Sequence, residues 1–264
     1  MSIEVAVIPA AGRGTRMKPA TRVVPKALIT VVDRPAIQYA VEEAARAGAK
    51  EAIVVVDLDS GHLIAQHFSL GGPLPGLEDI RVRPVVQEEP LGLGHAVYEA
   101  AEMVADRSFF CLLSDNIVRP GKDVLRDMAA GSNDGEVSVM CLRRLSDEFL
   151  SKYGVVVPSS EEEDGYLDVQ GAVEKPGVEN APSRLGLVGR YLFTPEVFSI
   201  LDKTDPGYGG EIQLTDAINE LGNRGRLRGF IAEADLLDTG TPEGLLKATK
   251  VLGTYQFGGE VFDS

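Results

Sequence analysis

Along the chain, short apolar runs alternate with stretches whose apolar positions repeat at helical spacing. Ile3–Ile8, Ala52–Val56, Ile80–Val86 and Phe109–Leu113 read as strands, rich in β-branched residues. Between them, Pro35 suits the first position of a helix whose apolar stripe is Ile37, Tyr39–Val41, Ala44 and Ala45. Leu63–Phe68 and Leu93–Val104 predict two further helices, and Gly71–Gly76 a loop. Continuous apolar strands spaced by helices imply a parallel sheet covered on both faces.

The pattern changes after about residue 135. Glu136–Leu142, Tyr153–Val157, Leu167–Val173, Leu187–Phe193 and Leu227–Ile231 read as strands with fewer helices between them. Pro195–Leu201, Glu211–Leu221 and Pro242–Leu252 read as helices. No repeat, low-complexity tract or linker interrupts the chain. The expectation is one α/β domain over residues 1–264, a Rossmann-like three-layer sandwich on a mixed, mostly parallel sheet.

Composition narrows the function classes. Apolar content of 44% and charged content of 25% are ordinary for a soluble globular protein. Cys111 and Cys141 both fall in apolar runs, which predicts buried thiols and a reducing, cytoplasmic setting. No leader and no membrane span are expected. The net charge of -14 argues against nucleic-acid binding, yet residues 1–35 hold six Lys/Arg against Glu4 and Asp33. That is +4 locally and -18 elsewhere, an acidic body with one basic loop, which suits a small anionic ligand.

The loop is Ala10-Ala11-Gly12-Arg13-Gly14-Thr15-Arg16, directly after the first strand. Small residues and two glycines let backbone N–H groups approach a phosphate chain, and Arg16 and Lys26 add fixed positive charge. A Walker A loop requires a terminal Gly-Lys-Ser/Thr, which is missing. A dinucleotide fingerprint requires a third Gly, which is missing, and an acidic strand end about 20 residues later, whereas the next strand ends near Asp57, too far along; this rules against an oxidoreductase. A surface loop with incidental arginines is the plain alternative.

In an open α/β sheet, ligands bind beyond the carboxyl ends of the strands. The first strand ends at the Gly loop and the fourth at Asp115, so both fall on one edge. Asp238 follows the apolar pair Leu236-Leu237 and precedes a helix. Asp115 and Asp238 with phosphate oxygens make a Mg²⁺ site, although Asp238 also reads as a simple helix cap.

Further segments complete a pattern. They are Pro25-Lys26, Asp33-Arg34-Pro35-Ala36-Ile37-Gln38-Tyr39, Gly92-Leu93-Gly94-His95-Ala96, Lys152-Tyr153-Gly154-Val155-Val156, Val173-Glu174-Lys175-Pro176, Val188-Gly189-Arg190-Tyr191 and Gly210-Glu211-Ile212-Gln213-Leu214-Thr215-Asp216. Over residues 3–255 the chain resembles the sugar-1-phosphate nucleotidyltransferases, most closely the bacterial-type UTP–glucose-1-phosphate uridylyltransferases.

The resemblance implies the nucleotide-diphospho-sugar transferase fold, a nucleotide-binding half (1–135) and a sugar-phosphate half with C-terminal helices (136–264). It implies that Ala10, Ala11, Gly12, Gly14 and Thr15 hold the nucleoside triphosphate, while Arg16 and Lys26 contact its phosphates. It also implies that Gln87 reads the pyrimidine edge, with Gly92 against the base. By the same resemblance Gly154, Glu174 and Val188 are expected to contact the sugar, Lys175 its phosphate, and Asp115 and Asp238 to bind Mg²⁺. A homo-oligomer is expected on the same ground.

Base identity stays open. Ala20-Thr21-Arg22-Val23-Val24 resembles the uridylyl branch, whereas Leu113-Ser114-Asp115-Asn116 and Asp238-Thr239-Gly240-Thr241-Pro242 resemble the thymidylyl branch. UTP and dTTP are therefore both candidate partners, together with a sugar-1-phosphate. A non-catalytic nucleotide-sugar-binding regulator is the alternative from another class.

Overall fold

In the computed structural model, which describes residues 2–72 and 74–259, the first apolar run forms β1 (Val5–Pro9), buried throughout. A short hairpin, β2 (Thr30–Val31) and β3 (Arg34–Pro35), leads into α1 (Ala36–Ala47). Then come β4 (Glu51–Asp57), α2 (Gly61–Ser69) and β5 (Arg81–Gln87). The helix expected over Leu93–Val104 is two pieces, α3 (Leu93–Tyr98) and α4 (Ala101–Val104). Hydrogen bonding tightens at the break, where Ala100 N donates to Val97 O at 3.2 Å. The loop expected over Gly71–Gly76 is irregular, and its Pro73 lies outside the described residues.

β6 (Phe109–Leu112) is followed by β7 (Asn116–Val118), α5 (Val124–Ala130) and β8 (Ser138–Arg144). The second half adds β9 (Val155–Pro158), β10 (Tyr166–Val173), α6 (Gly177–Asn180), β11 (Leu185–Phe193), α7 (Glu196–Leu201), α8 (Leu214–Asn223), β12 (Leu227–Ile231), β13 (Leu236–Asp238) and α9 (Pro242–Phe257).

One nine-stranded sheet runs through both halves in the order β5-β4-β1-β6-β11-β8-β12-β10-β9. β5, β4, β1 and β6 are mutually parallel, as the alternation of strands and helices requires. β11 enters antiparallel between β6 and β8, and β9, β10 and β12 are also joined antiparallel. The sheet is mixed, with parallel pairing in the second half confined to β8 and β12.

Alternate strand residues feed two cores. Val5, Val7, Ile53 and Val55 pack on one face with α3, α7 and α8, while Ala6, Ile8, Val54 and Val56 pack on the other with α1, α2 and α5. Three layers result. Cys111 and Cys141 are unpaired and fully buried, and burial pushes the Cys111 thiol up to about 12 and the Cys141 thiol higher still.

Candidate active site

β1 and β6 lie side by side in register, Val7 opposite Cys111, so their carboxyl ends open at one place. A cleft of about 530 Å³ lies there. Ala10, Ala11, Gly12, Gly14, Thr15, Lys26, Gln87, Gly92, Asp115 and Glu211 are among the residues lining it. Ser114 Oγ donates to Pro9 O at 3.1 Å and ties the two strand ends together.

The Gly loop is held by the segment after it. Thr21 Oγ1 donates to Gly14 O at 2.7 Å. Gly14 has φ +58°, and a Cβ there would stand 2.9 Å from both Lys26 Cβ and Thr21 Cγ2. Apart from its chain neighbours, no described atom lies within 4 Å of a Cβ built on Gly12. Thus Gly14 is a structural glycine, whereas a side chain at Gly12 would enter open space in the cleft. Arg16 sits on the exposed turn Thr15–Met17, outside the cleft lining, with no charged partner among the described residues.

Next to the Asp115 end of the cleft, though outside its lining, lie two short strands that sequence patterning did not predict. β13 pairs antiparallel with β7 and sets Asp238 opposite Asn116, one residue from Asp115. Thr239 clamps this junction, its N donating to Asp115 O at 2.7 Å and its Oγ1 to the same oxygen at 2.9 Å. A Cβ on Gly240 would stand 2.8 Å from Asp238 Oδ1, 3.0 Å from Asp115 Oδ2 and 3.1 Å from Lys26 Nζ. Three residues separated by up to 212 positions of chain therefore converge on one point. Lys26 Nζ donates to Asp115 Oδ2 in a partly buried ion pair. Asp238 does not cap α9, since Thr241 does so by accepting from Gly244 N at 3.1 Å, but it does hold the turn before that helix, its Oδ1 accepting from Gly240 N at 2.7 Å.

Among the described residues no group of three or more His, Cys, Asp or Glu is arranged to hold a metal ion. Two convergent carboxylates still fit Mg²⁺, which keeps waters and takes substrate phosphates with only one or two protein carboxylates.

Gly154 and Glu174 lie together, since a Cβ on Gly154 would stand 3.2 Å from Glu174 Oε2. Lys175 Nζ lies 2.7 Å from Glu174 Oε1, both side chains about half exposed. The Val188 side chain is buried in the apolar core that also holds Val118 and Leu236. Only its main chain is available to a sugar. None of these four residues lines the cleft described above.

Three residues at the site had no role assigned from sequence. Tyr153 stands beside Asp238; burial first, then that carboxylate, push its phenol above the ordinary value. Glu211 reaches the cleft because Gly92 and Gly94 pack on its segment, Gly94 N donating to Ile212 O at 2.9 Å. Arg190 is fully buried and donates to Leu113 O at 3.2 Å and to Asn116 O at 2.5 Å, bracketing Asp115. All three lie inside quoted motifs, but their spacing alone assigns no partner.

The Nucleotidyl transferase family profile matches residues 5–254. The chain is 36% identical to the UTP–glucose-1-phosphate uridylyltransferase of Bacillus subtilis, over 94% of this chain and 90% of that protein. It is similar in structure to a UDP-glucose pyrophosphorylase complexed with UDP-glucose, with a TM-score of 0.87, 32% identity and coverage of 96% and 100% of the two chains. It is also similar to a UTP-bound enzyme of this kind from Acinetobacter baumannii, with a TM-score of 0.84, 32% identity and coverage of 99% and 97%.

Proposed function

The chain belongs to the nucleotidyl transferase family and is a nucleotidyltransferase, and from that premise we propose that it joins UTP and glucose-1-phosphate to give UDP-glucose and pyrophosphate. The observation that carries this reading is the convergence of Lys26, Asp115 and Asp238 at the end of a glycine-lined cleft. The relatives named above act on these substrates or were captured with UTP or UDP-glucose.

The chemistry follows from charge. A phosphate oxygen of the sugar-1-phosphate attacks the α-phosphorus in line, the bond to the β-phosphate oxygen breaks, and pyrophosphate leaves. A phosphate monoester is already ionised at neutral pH, so the site requires no general base. The Gly loop holds the triphosphate through backbone N–H groups, and Lys26 exchanges its contact with Asp115 for phosphate oxygens. Arg16, on its exposed turn, would neutralise the leaving pyrophosphate. Glu174 and Lys175 form the sugar-phosphate side, Gly154 leaves room for the sugar, and Val188 offers its backbone. Asp115 and Asp238 are the residues that would hold Mg²⁺, which supplies positive charge between the two anionic substrates.

No helix among the described residues is long and apolar enough to cross a membrane, and two buried free thiols suit a reducing cytoplasm. Exposed Leu246, Tyr255 and Phe257 on α9 support self-association through this helix, which sedimentation would detect. The direct test is pyrophosphate release with glucose-1-phosphate and Mg²⁺, comparing UTP, dTTP, CTP, GTP and ATP, then removing the metal with a chelator. UTP preference and loss with chelator are expected. A dTTP preference would move the chain to the thymidylyl branch, and nucleotide binding without turnover would make it a regulator.

A further inference from the structure

The amide of Gln87 is buried at the end of β5, on the cleft wall, and its nitrogen is fully committed. Gln87 Nε2 donates to Gly92 O at 3.1 Å and lies 3.0 Å from His95 Nδ1 on α3. A primary amide has two N–H bonds, so these two acceptors use both. For that to hold, Nδ1 of His95 must carry the lone pair. The other side of the ring provides the reason, because His95 Nε2 lies 3.1 Å from Glu99 Oε1, one turn further along the helix. A carboxylate there favours the proton on Nε2 and leaves Nδ1 as acceptor. Oε1 of Gln87 has no hydrogen-bond partner among the described residues.

We propose that His95, oriented by Glu99, is a specificity-determining positioning residue that locks the Gln87 amide so that only its acceptor oxygen is offered to the base. The inference rests on the reading of this cleft as a pyrimidine nucleotide site. An acceptor-only amide pairs with the N3–H of uracil or thymine. It faces lone pair against lone pair at N3 of cytosine, so cytidine nucleotides are rejected. Without His95 one N–H of Gln87 is released, the amide rotates, and it can donate to cytosine N3 as readily as it accepts from uracil N3–H. His95 touches no substrate in this account.

The test is calorimetric binding of UTP, dTTP and CTP to the whole protein with Mg²⁺, backed by the steady-state parameters of each nucleotide. His95→Leu and His95→Ala remove the acceptor. His95→Asn restores it, since Asn Oδ1 falls near the position of Nδ1. The wild type should favour UTP over CTP. Leu and Ala should each lower that ratio about tenfold or more, through KM rather than kcat, and Asn should recover most of it. The UTP to dTTP ratio should stay put in every variant, because those bases share the N3–H edge. An unchanged UTP to CTP ratio in a folded Leu or Ala variant overturns the proposal. So does an Asn variant no better than Ala, which would mean that His95 only packs. A wild type that binds all three equally instead sinks the underlying reading of Gln87, and the role of His95 with it.

Discussion

Arg190 on β11 and Glu43 on α1 form an ion pair in the interior, with Nη2 to Oε2 at 2.8 Å and the guanidinium fully buried. The same guanidinium donates to the main chain on both sides of Asp115, at Leu113 O and Asn116 O. The pair therefore sets the position of a candidate metal ligand that it does not touch. Removing one partner strands a buried charge, so Arg190→Met should cost ~3–5 kcal/mol in urea unfolding. The double variant Glu43→Leu with Arg190→Met should regain much of that stability. Turnover should not return with it, because the carbonyls flanking Asp115 still lack their donor. Full activity in the stable double variant would show that the pair serves folding alone.

How much of this was legible beforehand depended on distance along the chain. The parallel half follows from β1, β4 and β6, whose runs are long and apolar, and the Gly loop and Asp115 fall on one edge as expected. β7 and β13 escape because three-residue strands carry no periodicity, and their pairing spans more than 110 residues. Arg190 and Glu43 are 147 positions apart. The available signal was Glu43 itself, a charge set between Val41 and Ala44 on the apolar stripe of α1. For Val188 the motif gives the position but does not say whether side chain or backbone faces the ligand.

Lys26 and Asp115 pair with each other, so each change breaks the same contact from opposite sides. Lys26→Ala and Asp115→Ala should each abolish pyrophosphate release in a protein that melts normally, since both side chains keep some solvent access. A near-normal rate in either variant would remove the charge-neutralising mechanism.

The two glycines of the Gly loop should separate. Gly14→Ala meets a left-handed backbone, a cost of about 1–2 kcal/mol, together with contacts to Lys26 and Thr21 that must give. It should lower the melting temperature. Gly12→Ala enters open space and should leave melting unchanged while raising KM for the nucleotide several-fold. The assignment of Gly12 to the phosphate chain fails if its alanine variant binds nucleotide normally.

Asp33 should contribute acid-sensitive stability. The bonds from Arg34, and a smaller one from Gln256 on α9, hold its carboxyl at about 2, against the opposing effect of burial. Its folded value is depressed, so its contribution is complete above the ordinary carboxylate range and lost as pH falls towards 2. The group is largely exposed, which limits the effect to under about 1 kcal/mol. Urea midpoints of wild type and Asp33→Asn should differ at about pH 5 and converge near about pH 2. A difference independent of pH would assign the effect to packing.

Lys175 offers a case where function and stability should move in opposite directions. Its φ of +47° is a conformation that costs a residue with a side chain on the order of 1 kcal/mol or more. Among the described residues its one charged partner is the adjacent Glu174, half exposed, a pair that contributes little to folding. Strain at a paired surface lysine is consistent with a side chain aimed at a ligand. Lys175→Gly removes the charge and relieves the strain, so its melting temperature should hold or rise slightly. Lys175→Ala removes the charge and keeps the strain. Both should raise KM for the sugar-1-phosphate about tenfold with a smaller change in kcat, the pattern of a lost binding contact. If KM for the sugar substrate is unchanged in the glycine variant, Lys175 is a surface residue and the sugar phosphate must be held elsewhere.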